Sequence, residues 1–193
     1  MNYFEVFGLP KKLAIDAAAL QQRFYELSRK WHPDFQQGAS ADEQANALEQ
    51  SARLNAAYRA LRDPIPRAEY LVRLEEGRET NEGAVVKPAA PPELLAEMFE
   101  IQEMLEEARA GGLDADGRAR LAAERDALVA RRMQEEARLT GPLSADWDRA
   151  DAATRPGVLE ALKGSLATRA YLRTVIEDLS AALEDDHVAH HRH

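Results

Sequence analysis

The sequence predicts an all-α protein built as two helical domains, and three observations predict it. Ala, Leu, Glu and Arg dominate a chain of 193 residues that is 45% hydrophobic, 31% charged and only 6% aromatic, which is the composition of helices. Apolar residues recur in steps of three and four, and no segment shows the strict alternation of a strand. Residues 76–91, with Gly77, Gly83, Pro88 and Pro91, carry no periodic apolar pattern and read as a linker. The expected division is a first domain over 1–75, the linker, a second domain over 92–185 and a disordered tail over 186–193. The length suits one large domain or two small ones.

In the first domain, Asn2 is placed to cap a short helix over Tyr3–Phe7, stopped by Gly8 and Pro10. Asp16 then caps a second helix, whose positions Leu20, Phe24, Leu27 and Trp31 step by 4, 3 and 4 along one face. Pro33 ends it, because the residue before a proline is pushed out of the α region. A polar loop, Gln36–Ala41, leads to a third helix with the stripe Ala47, Ser51, Leu54, Tyr58 and Leu61. Asp63-Pro64-Ile65-Pro66 punctuates it, and Arg67–Leu74 reads as a short fourth helix.

In the second domain, Pro92-Glu93 opens a helix running to about Ala110 and closed by Gly111-Gly112. Its stripe is Leu94, Met98, Ile101, Leu105 and Ala108. The next helix covers roughly Asp114–Leu139 and stops at Gly141-Pro142. The last helical region spans about Pro156–Leu183, with Gly164 inside it as a possible break. Beyond it, Glu184–His193 reads as a disordered, solvated tail; His187, His190, His191 and His193 lack the fixed geometry of a metal site.

Composition excludes several functions. Without cysteine there are no disulfides, thiolate nucleophiles or Cys-ligated clusters, and neither a metal nor a cofactor is expected. Residues 1–75 hold ten basic and ten acidic side chains, whereas 76–193 hold fifteen and twenty-four and carry the whole net charge of −9. An acidic second half argues against nucleic acid as a ligand. No apolar stretch approaches the roughly 20 residues of a membrane span. The start MNYFEVFGLP resembles no secretory signal, so a cytoplasmic location is expected.

The most informative residues lie where the second helix ends, at Arg29-Lys30-Trp31-His32-Pro33-Asp34. The proline forces an exit from the helix just after Trp31 is buried, leaving an imidazole and a carboxylate on a loop tip. Arg23, Arg29 and Lys30 share the polar side of that helix, with Glu26 diluting the field. A cationic face beside a fixed Asp suits an acidic protein patch. As a lone tripeptide, His32-Pro33-Asp34 is a weak motif. A catalytic use is disfavoured: the pair sit on an exposed tip, with no nucleophile evident nearby.

Over residues 1–75, the order of Tyr3-Phe4, the Leu20/Phe24/Leu27/Trp31 stripe, His32-Pro33-Asp34, Leu54-Asn55-Ala56-Ala57-Tyr58 and Leu61-Arg62-Asp63-Pro64 resembles the J-domain family. The resemblance implies an antiparallel helical hairpin. It also implies that His32, Pro33, Asp34, Arg23, Arg29 and Lys30 engage a DnaK-type ATPase. Phe35 stands where the family often has lysine.

MNYFEVFGLP, Pro64-Ile65-Pro66-Arg67-Ala68-Glu69-Tyr70-Leu71 and the acidic helix after residue 92 further resemble the HscB-type co-chaperones of iron–sulfur cluster assembly. That resemblance implies an L-shaped molecule whose C-terminal three-helix bundle binds the cluster scaffold protein. The implied scaffold-binding positions are Leu95, Ala96, Phe99, Glu100, Glu103, Glu107 and Tyr171, with Ala96 where the family often has a larger apolar residue.

The residues themselves leave two readings of this surface open. Leu95 and Phe99 lie about 100° off the core stripe. They form either an apolar centre rimmed by Glu100, Glu103 and Glu107 or the edge of a wide core stripe. Tyr171 is likewise one residue off the last helix's stripe of Leu172, Ile176, Leu179 and Leu183. Arg155–Leu166 reads as an insertion between the Trp147 region and Tyr171. The expected function is a non-enzymatic co-chaperone; a general J-protein with another client and a structural adaptor are the alternatives.

Overall fold

Helix α1 (Tyr3–Val6) starts from a reciprocal cap, in which the Asn2 side chain accepts from the Glu5 N–H at 3.0 Å and the Glu5 carboxylate accepts from the Asn2 N–H at 2.9 Å. It ends on Gly8, whose φ of 65° lets the Leu9 N–H turn back to the Phe4 carbonyl at 2.9 Å. The computed structural model describes residues 1–31, 40–78, 94–111 and 113–190, except the side chains of 95, 96, 98, 108, 109, 111 and 185–190.

Helix α2 (Ala17–Trp31) is capped by the Asp16 carboxylate, which accepts from the Ala18 and Ala19 N–H groups at 2.9 and 3.1 Å. Helix α3 (Ala41–Leu61) packs beside it. Leu20, Ala47, Leu54 and Leu61 are buried, and the Phe24 ring stacks on Tyr58 at 4.2 Å. The hairpin is therefore zipped by the stripes whose spacing predicted it. At the start of α3, Ser40 and Glu43 form a second capping box, and the Ser40 hydrogen bonds hold the Glu43 carboxyl below its ordinary value.

A depressed carboxyl contributes stability above the ordinary carboxylate range and loses it as pH falls. Ser40→Ala, which removes the hydroxyl but keeps the backbone N–H, is accordingly expected to destabilise the chain slightly at neutral pH. The gap from the wild type should narrow on acidification, as measured by urea unfolding at several pH values; a gap that widens would count against the box.

The break expected at Asp63-Pro64-Ile65-Pro66 is present but shorter, confined to Arg62 and Asp63. Helix α4 spans Pro64–Glu75 and includes both prolines in its first turn, where the N–H groups have no intrahelical partner to lose. Its face buries Ala68, Tyr70, Leu71 and Val72. The Tyr70 ring stacks on Tyr3 at 4.5 Å and its hydroxyl accepts from the Tyr3 N–H at 2.8 Å, tying α1 to α4.

Helices α5 (Leu95–Gly111) and α6 (Ala115–Arg138) follow. Gly141-Pro142 does not stop the chain: Leu139–Leu143 forms a π turn that runs into α7 (Ser144–Arg149). Helix α8 covers Arg155–His190 without a break. Gly164 lies exposed within it, and the part of the tail expected to be disordered continues the helix to His190. His191 and His193 lie outside the described residues.

The chain forms two units, and their membership differs from the linear division expected at the linker. One contains Met1–Glu82 together with Leu139–Leu162; the other contains Gly83–Arg138 and Lys163–His193. Leu139–Leu162, expected in the second domain, joins the first because its polar and aromatic groups are spent there. The Asp148 carboxylate accepts from the Leu13 and Ala14 N–H groups at 2.7 and 2.8 Å. Trp147, wholly buried, donates from Nε1 to the Lys11 carbonyl at 3.2 Å, and the Arg155 guanidinium lies 4.9 Å from its ring centroid. The Arg155–Leu166 stretch, whose packing the sequence left open, is the start of α8, and Leu162 is buried in this unit.

The second unit is a three-helix bundle of α5, α6 and the distal part of α8. Its core joins Ile101 and Leu105 of α5 to Leu121 and Leu128 of α6 and to Leu172, Val175, Ile176, Leu179 and Leu183 of α8.

Candidate partner-binding surfaces

His32, Pro33 and Asp34, the tip on which the first surface was expected to centre, lie outside the described residues, as does Phe35. The helix leading to it is described. Arg23, Arg29 and Lys30 are exposed at intervals along α2. Arg23 pairs with Glu26 at 3.2 Å across a solvent-exposed i,i+3 step, an arrangement worth little net energy in water. The Lys30 ammonium sits 4.8 Å from the Trp31 ring centroid, so a half-buried aromatic orients the cation at the last turn.

One residue here escaped the sequence reading. Tyr25 is 56% exposed and lines a shallow surface depression with Ala18, Gln21, Gln22, Glu26 and Arg29. Its neighbour Phe24 turns inward onto Tyr58, so the adjacent ring must point about 100° away, into water. The signal was present: an aromatic one position off a core stripe, on the basic helix face.

On α5, Ile101 and Leu105 are buried while Phe99 is 70% exposed, and Glu100, Glu103 and Glu107 are exposed. Phe99 is therefore not the edge of a wide core stripe. The side chains of Leu95 and Ala96 lie outside the described residues, although both positions are in the helix.

The seven expected positions are not one uniform patch. Glu100, Glu103 and Glu107 line a groove shared with α6. Tyr171 is half-buried against the bundle core. Its hydroxyl is shielded from solvent with no hydrogen-bond partner. Burial pushes its pKa up, reinforced by the Glu97 carboxylate and opposed by the Arg131 guanidinium. Those two charges pair with each other at 2.7 Å and bridge α5 to α6.

Among the described residues no group of three His, Cys, Asp or Glu side chains is placed to hold a metal ion, and no helix is long and apolar enough to cross a membrane.

Known proteins match this architecture along most of its length. Residues 2–70 match the DnaJ domain family, and residues 90–156 match the family described as the HSCB C-terminal oligomerisation domain. The "Co-chaperone protein HscB homolog" of Vibrio cholerae serotype O1, curated for two strains, is 38% identical over 148 residues, covering 76% of this chain and 83% of the relative. Among solved structures, chaperone HscB from Vibrio cholerae superposes with a TM-score of 0.61 at 29% identity, over 96% of this chain and 98% of that one. The human co-chaperone protein HscB superposes with a TM-score of 0.57 over 95% of this chain and 81% of that one, and at 21% identity it bears on the fold alone. A helical hairpin of J-domain type followed by a C-terminal three-helix bundle, matched by both family models and by these relatives, places the chain in the HscB family of J-domain co-chaperones.

Proposed function

We propose that this chain stimulates the ATPase of a DnaK-type chaperone and delivers to it the scaffold protein on which iron–sulfur clusters are assembled. His32, Pro33 and Asp34, with Arg23, Arg29 and Lys30, engage the ATPase. Leu95, Ala96, Phe99, Glu100, Glu103, Glu107 and Tyr171 hold the scaffold. The chain performs no covalent chemistry of its own; hydrolysis takes place in the partner. Its work is to bring client and chaperone together, because two modest contacts on one chain raise the effective concentration of one partner at the other.

The observation that carries this reading is Phe99. An aromatic ring 70% exposed on a helix that turns Ile101 and Leu105 to the core adds nothing to that core, and aromatic anchors dominate protein interfaces. Exposed glutamates beside it supply the charged rim such an anchor has.

The test is ATP turnover by the DnaK-type partner, measured with this chain alone and with chain plus scaffold. Asp34→Asn is expected to abolish both stimulations. Phe99→Ala leaves no internal cavity and is expected to remove only the scaffold-dependent part, weakening scaffold binding by roughly 10- to 30-fold, the loss typical of a hot-spot aromatic. Unchanged rates with Asp34→Asn would make the chain a helical adaptor. An unaffected scaffold response with Phe99→Ala would point to another client or another surface.

A further inference from the structure

Helix α5 does not present its glutamates alone. A groove of about 530 Å³ runs between α5 and α6, lined by Glu100, Glu103, Met104 and Glu107 on one side and by Arg120, Ala123 and Glu124 on the other. Met104, half-buried against the core, and the exposed Ala123 are the apolar groups of its lining. Four carboxylates against one guanidinium make its rim strongly negative.

What gathers these charges is that they line one groove and, among the described residues, lack partners. Four carboxylates of the bundle are matched to arginines, Glu97 to Arg131, Glu136 to Arg169, Glu177 to Arg173 and Asp126 to Arg125. Among the described residues, no side-chain hydrogen bond or ion pair is formed by Glu100, Glu103, Glu107, Glu124 or Arg120. Like charges lining one open groove repel, and they are neutralised when a segment of opposite sign lies in it. Phe99, one residue before Glu100 and open to solvent, extends the same surface with an apolar anchor.

We infer that the client-binding surface extends from α5 into this two-helix groove, that the groove clasps a basic segment of the client, and that Glu124 of α6 is a specificity residue within it. The inference rests on the client reading given above. Glu124 acts across the groove from Glu100, Glu103 and Glu107, so that a lysine or arginine entering over Met104 meets carboxylates on both walls. Arg120 opposes the same segment and limits affinity.

Calorimetric titration of the full chain with the apo cluster-scaffold protein at several salt concentrations tests this. Glu124→Gln, nearly isosteric, is expected to weaken binding about 3- to 10-fold, as much as Glu103→Gln, and to flatten the salt dependence. Glu106→Gln makes the same charge change on an exposed position of α5 outside the groove and is expected to change binding less than 1.5-fold. Arg120→Gln should tighten binding about 2- to 3-fold, a sign that damage to the fold cannot mimic.

If Glu124→Gln behaves like Glu106→Gln while Phe99→Ala still weakens binding, the α6 wall has no part and the inference fails, though the client reading stands. Weaker binding by Arg120→Gln would reverse the sign of the ligand and overturn it equally. No binding by the wild-type chain would remove both readings together.

Discussion

Trp147→Ala is expected to destabilise the chain by about 3–5 kcal/mol, the range for deleting a large buried aromatic, and to lower the unfolding temperature by roughly 6–20 °C at this chain length. The indole is 1% exposed. Its removal leaves a cavity, frees the Lys11 carbonyl from Nε1 and takes the ring from beneath the Arg155 guanidinium. Trp147→Phe keeps most of the packing and should lose only about 1 kcal/mol with the hydrogen bond. Calorimetric or urea unfolding separates the two. A loss below about 1 kcal/mol for the alanine variant would show that Leu139–Leu162 is not integral to the first unit. The damage should reach the segment entering α2, because Trp147 and Asp148 hold Lys11, Leu13 and Ala14 from one side.

Arg67 holds the same segment from the other side, and its substitution has the second-largest expected cost. The side chain is 4% exposed. Its Nε donates to the Leu61 carbonyl at 2.7 Å, Nη2 to the Arg62 carbonyl at 3.3 Å and Nη1 to the Leu13 carbonyl. Three backbone acceptors at the end of α3 and the approach to α2 thus share one planar fork. Arg67→Met preserves most of the volume and strands all three, at an expected cost of ~2–4 kcal/mol. Arg67→Lys should recover only part of this, since a compact ammonium cannot reproduce the fork. Burial lowers the pKa of the guanidinium, while Asp63 and Asp148 pull it back up. An arginine stays charged throughout the accessible range, so the cost should be constant between about pH 6 and 9. A steep pH dependence of the difference in urea midpoints would show that the guanidinium is not the group responsible.

The helices of the first unit were legible because each follows from local chemistry. Asn2 and Asp16 cap where they stand, and Leu20, Ala47, Leu54 and Leu61 are buried at the spacing that announced them. Pro64 and Pro66 misled for an equally local reason: two prolines read as punctuation, yet the first turn of a helix tolerates both. The π turn at Leu139–Leu143 was missed because Gly-Pro reads as a stop. There the Ser144 hydroxyl donates to the Leu139 carbonyl, five residues back, at 2.5 Å.

Periodicity states which residues of a helix face inward, but not which other helix they meet. Phe99 could be placed off the core stripe by counting, and its exposure follows from that angle. Tyr25 obeys the same count. Glu124 and Arg120 carry no such mark, because a groove arises only when two helices pair, and the register of α5 against α6 is set by interlocking side chains distant in sequence.

By itself, then, the amino-acid order determined the all-helical class, most helix faces, the residues His32-Pro33-Asp34 and the family resemblance. Tertiary structure alone decided that Leu139–Leu162 packs with the first unit, that Arg67 and Asp148 grip the approach to α2, and that the acidic rim of α5 faces a second wall on α6. The reason is the range of the forces involved. Caps and helical periods act within a few residues, whereas a buried guanidinium or indole finds its partners only once residues some fifty to a hundred and thirty-six positions apart have been brought into contact.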